Sequence, residues 1–421
     1  MPEQPAKKLR ILVNGDNASF RLGGEATKPI RFFRGYRARG HDCALVTHER
    51  CADDLASVLT ADEIQNVTFL KDTLVQRLFN FLASRYAIPI APAIPFISQF
   101  RLRKILRAQQ FGRIDVVHQT TPISPLMPSL LAFKDSLTIQ GPLAVLPGYP
   151  ENFLQKSNHQ RSKEKIKFAL AIFLNRIWPA RRSFEMIYCD NEQTRDVVSG
   201  VLGAKTPTRI ELNNAVEDHW FTDQRQPPKT KPRFVYVGRL IDWKCVDVVI
   251  DAASRLPFPV DLVIVGDGPE RASLEAKCSH SENVSAKFKG WLGTEEIKPE
   301  YVKATAAVSL ALRESGGTSV MEAMASQTPL IATRWGGHTS RLKDGMGLLV
   351  TPGDREQMIR ETSHHMLSLC KDPTLGRRLG KAAQAHAYAT MRWSTKIEVV
   401  EQDILELVQR KHSVESAKDV S

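Results

Sequence analysis

Two acids, Glu314 and Glu322, stand eight positions apart around a glycine pair, Gly316-Gly317. Their carboxylates accept hydrogen bonds from hydroxyls of the kind a sugar or a ribose carries. The glycines let a ligand come close to the backbone. A helix starting just after them would aim its first N–H groups and its positive dipole end at an anion. A ligand bearing both phosphates and hydroxyls suits the whole set. A second pair of charges lies upstream, Arg239 and, five positions on, Lys244. A guanidinium and an ammonium converging on one strand-to-helix loop are what a diphosphate clamp needs. One acid also has a plainer reading, because Ser319-x-x-Glu322 is a capping box that would satisfy backbone donors.

These residues fall where strands would hand over to helices. The apolar run at 306–312 is short and branched, as a buried strand would be, and 320–325 suit a helix that Gln327-Thr328-Pro329 closes. Arg239 ends a similar run at 234–240, and Lys244 opens the helix after it. Gly266-Asp267-Gly268-Pro269 follows a run at 262–265, Phe288-Lys289-Gly290-Trp291 comes next, and 329–333 and 347–350 complete a sheet. Earlier runs lie at 9–13, 44–47, 115–119, 137–142, 186–189 and 209–212. Short strands alternating with helical patterns predict doubly wound α/β architecture, here in two Rossmann-like domains. The polar, proline-rich stretch 222–232 reads as the linker between them. The expected division is 1–218 and 219–392, with a last helix at about 393–412 crossing back onto the first domain.

Open α/β sheets bind ligands at the carboxyl ends of their strands. His118 ends one such strand and is either a structural histidine or an acid, base or donor toward substrate. Gly23-Gly24, after the first strand, is either a turn or a phosphate loop. No GxGxxG accompanies it, which argues against a dinucleotide oxidoreductase.

The chain has 421 residues, with 58 Lys and Arg against 46 Asp and Glu, a net charge of +12. That balance suits an anionic partner such as nucleotide phosphate or an acidic membrane surface, and no nucleic-acid motif accompanies it. Basic and apolar residues mix at 71–113 and again at 156–182. Each stretch is either a helix with a buried face and a solvated basic face, or a docking surface for anionic lipid. Six scattered cysteines without a CxxC pattern read as reduced thiols of a cytoplasmic protein, soluble or peripheral on the inner face of the cell membrane. No stretch reaches the ~18 apolar residues of a spanning helix.

The ordered set from 209 to 354 resembles the retaining glycosyltransferases of the group 1 family (family 4), which have the GT-B fold of two Rossmann-like domains facing each other across a cleft. The residues that carry the resemblance are Asn213-Asn214-Ala215-Val216, Val237-Gly238-Arg239-Leu240 with Lys244, Gly266-Asp267-Gly268-Pro269, Glu314 with Glu322, Pro329-Leu330-Ile331-Ala332 and 345–350. Val117-His118-Gln119, Gly141-Pro142-Leu143 and Tyr149-Pro150 are similar to one branch of it. The resemblance implies a nucleotide-diphosphate sugar as donor and a glycan or lipid-linked acceptor. In that scheme Arg239 and Lys244 neutralise the diphosphate, so that no metal need be invoked, and Glu314 binds the donor sugar. Gly238, Gly266, Gly316, Gly317 and Thr318 approach the donor, Glu322 binds the ribose and Trp291 lies beside the base. Gly23 and Gly24 close over the phosphates; His118, read from its place at a strand end, is the remaining candidate for the catalytic set. Thr120 and Gln140 stand where the family usually has His, and Ser315 where Phe is usual. A relative that only binds a sugar nucleotide or glycan as a scaffold is the alternative.

Overall fold

A computed structural model describes residues 8–20, 24–74, 76–77, 93–107, 112–133, 135–150, 153, 157–228 and 230–419. It divides into two compact units, one of Met1–Val145, Lys163–Asn214 and Lys396–Ser421, the other of Leu146–Ser162 and Ala215–Thr395.

In the first unit the described residues form a seven-stranded parallel sheet. Its strands are β1 (Arg10–Asn14), β2 (Asp42–His48), β3 (Val67–Leu70), β4 (Val116–Gln119), β5 (Leu137–Leu143), β6 (Met186–Cys189) and β7 (Thr208–Ile210). They run in the order β3-β2-β1-β4-β5-β6-β7. The winding therefore reverses between β1 and β4, where Val13 pairs with His118 and Asn14 with Gln119. Leu12, Val46 and Val117 face one core, while Leu143, Ile187 and Cys189 face another.

The second unit repeats the plan. Its strands are β8 (Arg233–Val237), β9 (Val260–Val265), β10 (Val284–Gly290), β11 (Ala306–Ser309), β12 (Leu330–Thr333) and β13 (Leu348–Val350). The order is β10-β9-β8-β11-β12-β13, so this sheet reverses between β8 and β11. Phe234, Leu262, Ile264, Val308 and Ile331 are fully or almost fully buried in one core, as expected of parallel strands covered on both faces. At the carboxyl ends the strands close up. A Cβ on Gly266 would lie 1.9 Å from the Gly238 carbonyl oxygen, so only glycine fits there.

Two features depart from the linear division. The stretch 222–232 is no free linker. The units part at 214/215, and Arg225 straps the stretch to the second unit through the Tyr301 and Ala304 carbonyls, at 2.8 and 2.6 Å, and Thr328 Oγ1 at 2.7 Å. The segment Leu146–Ser162 also belongs to the second unit. There Arg313 Nε donates to the Pro147 carbonyl at 3.1 Å, Trp335 Nε1 donates to that of Gly148 at 3.1 Å, and the Arg313 guanidinium lies 5.3 Å from the Tyr149 ring centroid. The terminal helix, Trp393–Asp419, belongs from Lys396 to the first unit. Lys396 pairs with Glu211, His41 Nε2 meets Glu401 at 2.8 Å and Tyr188 donates to Asp403 at 3.1 Å.

Candidate active site

The loops after β8 and β11 flank the reversal of the second sheet, the place where such sheets bind ligands. After β8 the chain passes Gly238 and Arg239 and makes a short turn, Asp242–Lys244, that ends at Lys244. After β11 it runs through Glu314 and Gly316-Gly317 into the helix Thr318–Ala325. The two loops are bonded, since Leu312 N–H donates to the Trp243 carbonyl at 2.8 Å.

Lys244 and Glu314 form an ion pair in which the ammonium also hydrogen-bonds Oε2. Glu314 Oε1 accepts from the Gly317 N–H at 3.1 Å. Burial alone would raise the Glu314 carboxyl, but the Lys244 charge and hydrogen bond, with His338 and the Gly317 N–H, together outweigh it and hold the group down at about 2. Gly317 adopts φ 51°, a left-handed conformation that non-glycine residues resist, and this bends the loop back onto its own acid. The capping-box alternative does not form. Gly317 is the N-cap and no side chain caps this helix, so Glu322 is not engaged in it.

Glu322 is partly buried, and among the described residues its carboxylate has no hydrogen-bond or ion-pair partner. Burial pushes it up to about 7. Two buried tyrosines join the charged groups. The Tyr236 hydroxyl donates to the Arg239 carbonyl at 2.9 Å and lies in the field of Glu314 and Arg239. Tyr301 donates to the Ser319 carbonyl at 2.9 Å and lies in the fields of Glu322 and Tyr236. Arg239 itself is exposed and forms no ion pair among the described residues. The four charged residues thus share one neighbourhood, with Arg239 and Glu322 holding unspent bonding capacity.

The glycines fall at the same rim. Gly238 N–H donates to the Val265 carbonyl at 3.0 Å, and Gly266 N–H to that of Gly290 at 2.7 Å. Gly316 is buried in the loop, and Thr318 is the first residue of the helix. Trp291 follows β10 and is 72% exposed.

A third loop was not anticipated. After β12, Gly337 N–H donates to the Glu314 carbonyl at 2.7 Å. His338, fully buried, meets Thr333 Oγ1 at 2.8 Å and Ser309 Oγ at 3.2 Å. Burial lowers it to about 4, against the pull of Glu314, so the ring is neutral near pH 7. Gly336-Gly337 between a strand and a short helix was the available signal.

In the first unit His118 is enclosed by packing and by hydrogen bonds at both ring nitrogens. The ring is fully buried, with Phe32 at 4.4 Å between centroids. Nε2 lies 3.0 Å from the Gly141 carbonyl and Nδ1 2.9 Å from the Tyr36 hydroxyl. The carbonyl can only accept, so Nε2 carries the proton and Tyr36 donates to Nδ1. Neither nitrogen is left for a substrate. Gly24 begins the helix Gly24–Ala38, while Gly23 lies outside the described residues, as does most of 71–113 beyond its helix Ala93–Arg107. Thr120 donates its hydroxyl to the Asn14 carbonyl at 2.7 Å.

The group of interest at the first reversal is Asp16, just past β1. Its N–H donates to Thr121 Oγ1 at 2.8 Å, and burial pushes its carboxyl up to about 6 against the nearby Arg50 charge. Nearby along the strands, the buried amides of Asn14 (Nδ2), Gln119 (Nε2) and Gln140 (both atoms) find no hydrogen-bond partner among the described residues. Orphaned polar groups of this kind cost stability unless water or ligand meets them. An acid two residues beyond the first strand was legible, but its burial was not.

Comparison with known proteins follows the same division. The family model described as "Glycosyl transferases group 1" matches residues 219–386. A lipopolysaccharide core biosynthesis glycosyltransferase of Rhizobium meliloti, LpsE, is 32% identical over 193 residues, 44% of this chain and 55% of that protein. The sulfoquinovosyl transferase SQD2 of Arabidopsis thaliana is 28% identical over 158 residues, 37% of this chain and 29% of its own. The chain therefore spans about half or less of these curated relatives. Among solved structures, Anabaena Alr3699/HepE, in complex with UDP-glucose, superposes with a TM-score of 0.63 at 17% identity, covering 96% of this chain and 100% of that one. That likeness shows the fold, GT-B with its two Rossmann-like halves.

Proposed function

We propose that this chain, whose residues 219–386 match the group 1 glycosyltransferase model, transfers a sugar from a nucleotide-diphosphate sugar to a glycan or lipid-linked acceptor in cell-surface polysaccharide or glycolipid synthesis. One observation carries the reading. At the reversal of the second sheet stand an acid neutralised by a lysine, together with an acid and an arginine that have no hydrogen-bond or ion-pair partner for their charged groups among the described residues. A scaffold that merely bound a glycan has no use for that full set.

In this reading Arg239 and Lys244 bear the charge of the departing diphosphate, an electrostatic contribution of the kind that dominates many enzymes. Glu314 orients the donor sugar and Glu322 accepts from the ribose hydroxyls. The N–H groups at the start of the helix Thr318–Ala325 approach the phosphate. The bond from the sugar carbon to the phosphate oxygen breaks as the acceptor oxygen attacks the same face. The acceptor proton passes to the leaving phosphate, so configuration is retained and no metal is needed. The UDP-glucose bound by Alr3699/HepE supports a uridine nucleotide. Asp16 at the other reversal is suited to an acceptor hydroxyl. Free cysteine thiols fit a cytoplasmic site of action, against the inner face of the membrane.

Purified protein incubated with a panel of sugar nucleotides tests the proposal. Slow donor hydrolysis or transfer to an added acceptor is the expected result, with retained anomeric configuration. Inertness toward every donor sinks it.

A further inference from the structure

The helix Ser157–Ile177 turns an apolar stripe away from the protein. Ile166, Leu170, Phe173 and Ile177 follow one another at steps of four, three and four, and they are 68, 52, 58 and 50% exposed. Trp178, next in the chain, is exposed as well. Such spacing places all four on one helical face. The opposite face does the packing. Ala171 is buried with Leu143, Ile187 and Val198, Phe168 joins them, and Asn175 is buried with its amide bonded to the Ala171 carbonyl at 2.9 Å. This inverts one outcome the sequence allowed, a helix whose apolar residues are buried and whose outward face is basic.

The stripe has a charged border. At about 100° per residue, Lys165 and Arg176 fall on one flank and Lys167 on the other. All three are exposed, as is Arg182 just beyond, and no acid occurs between Lys165 and Phe184. Isolated exposed apolar residues are ordinary, but a continuous four-residue stripe marks an interaction site. A second copy of the chain would bring these cations against their own likeness if the same faces met. A bilayer with anionic headgroups satisfies both parts at once.

We propose that this face docks on an anionic membrane surface. Ile166, Leu170, Phe173 and Ile177 enter the boundary between headgroups and acyl chains, while Lys165, Lys167, Arg176 and Arg182 meet the lipid phosphates. No described helix is long and apolar enough to cross a membrane, so the contact is peripheral. The inference concerns a surface of the first unit and stands apart from the proposed transfer.

Vesicle flotation of the full chain, without donor, tests it. The protein is expected to float with vesicles of phosphatidylglycerol and phosphatidylcholine, to stay behind with phosphatidylcholine alone, and to be released by salt. Phe173→Glu is expected to lower partitioning at least about ten-fold, and Lys165→Glu with Lys167→Glu about five-fold per charge removed. Melting temperature should hold in both, and Leu170→Ser checks the stripe by a milder change. Equal binding to neutral vesicles, undiminished binding by Phe173→Glu, or no binding at all overturns the proposal. So does a dimer that Phe173→Glu dissociates while wild-type protein ignores vesicles.

Discussion

Lys244 and Glu314, seventy positions apart in sequence, are ion-paired across the reversal of the second sheet. The pair joins a loop that would receive phosphate to a loop that would receive sugar. The two charges hold each other in place, and in the proposed reaction an incoming diphosphate would share the ammonium with the carboxylate. Both side chains keep some exposure, 16 and 17%, so the pair is weaker than a fully buried one.

Removing either partner should be costly in two ways. Glu314→Ala or Lys244→Ala is expected to lower turnover by about a hundred-fold or more, since each orients the donor for reaction. Each should also destabilise the fold by about 1–3 kcal/mol, as the remaining charge loses its partner. The folded carboxyl titrates near 2, below the ~4.3 of an unfolded glutamate. Its contribution is thus present above about pH 4.3 and lost as pH falls toward 2. Urea midpoints measured across that window should slope less in Lys244→Ala than in wild type. Identical slopes would deny the pairing.

Glu322 should make donor binding rise with pH. Its carboxyl, pushed up to about 7, would accept from two ribose hydroxyls best when ionised. Calorimetry with uridine diphosphate is expected to show affinity growing through neutrality more steeply in wild type than in Glu322→Gln, where only the ligand's own phosphate ionisation remains. The variant should bind about ten-fold more weakly at pH 8, in line with the 1.5–3 kcal/mol of charge-assisted bonds. The stability effect has the opposite sign. A raised carboxyl costs stability as pH climbs from ~4.3 to 7, so Glu322→Gln should be the more stable protein at pH 8. Equal pH dependence in the two proteins would remove Glu322 from the site.

Arg239 is exposed, so its replacement isolates binding from folding. Arg239→Ala should change stability by no more than about 0.5 kcal/mol. Affinity for uridine diphosphate should fall about ten-fold or more, while affinity for uridine stays constant. A variant that binds the diphosphate as wild type does would end the clamp assignment.

His118 gives the contrasting outcome. His118→Ala strands the Tyr36 hydroxyl and the Gly141 carbonyl and opens a cavity, for about 2–4 kcal/mol of lost stability. Turnover per folded molecule should stay within about three-fold of wild type, because the ring reaches no substrate. A thousand-fold loss in well-folded protein would restore it to the catalytic set.

The sequence by itself determined the alternation of strands and helices and the loops that carry Arg239, Lys244, Glu314 and Glu322. Those signals are local. A branched apolar run, a glycine pair and a charge at a strand end lie within a few residues of one another, and backbone sterics and burial act at that range. Tertiary structure decided what each side chain touches. Only folding brought Lys244 to Glu314 and released Glu322 from a capping role, and only folding closed both nitrogens of His118 in the core. It also placed the segment Leu146–Ser162 in the second unit, because partners that hold it, Arg313 and Trp335, lie far along the chain. The helix Ser157–Ile177 is the plainest case. Its pattern announces an apolar face, but a periodic sequence carries no record of whether protein or solvent lies opposite.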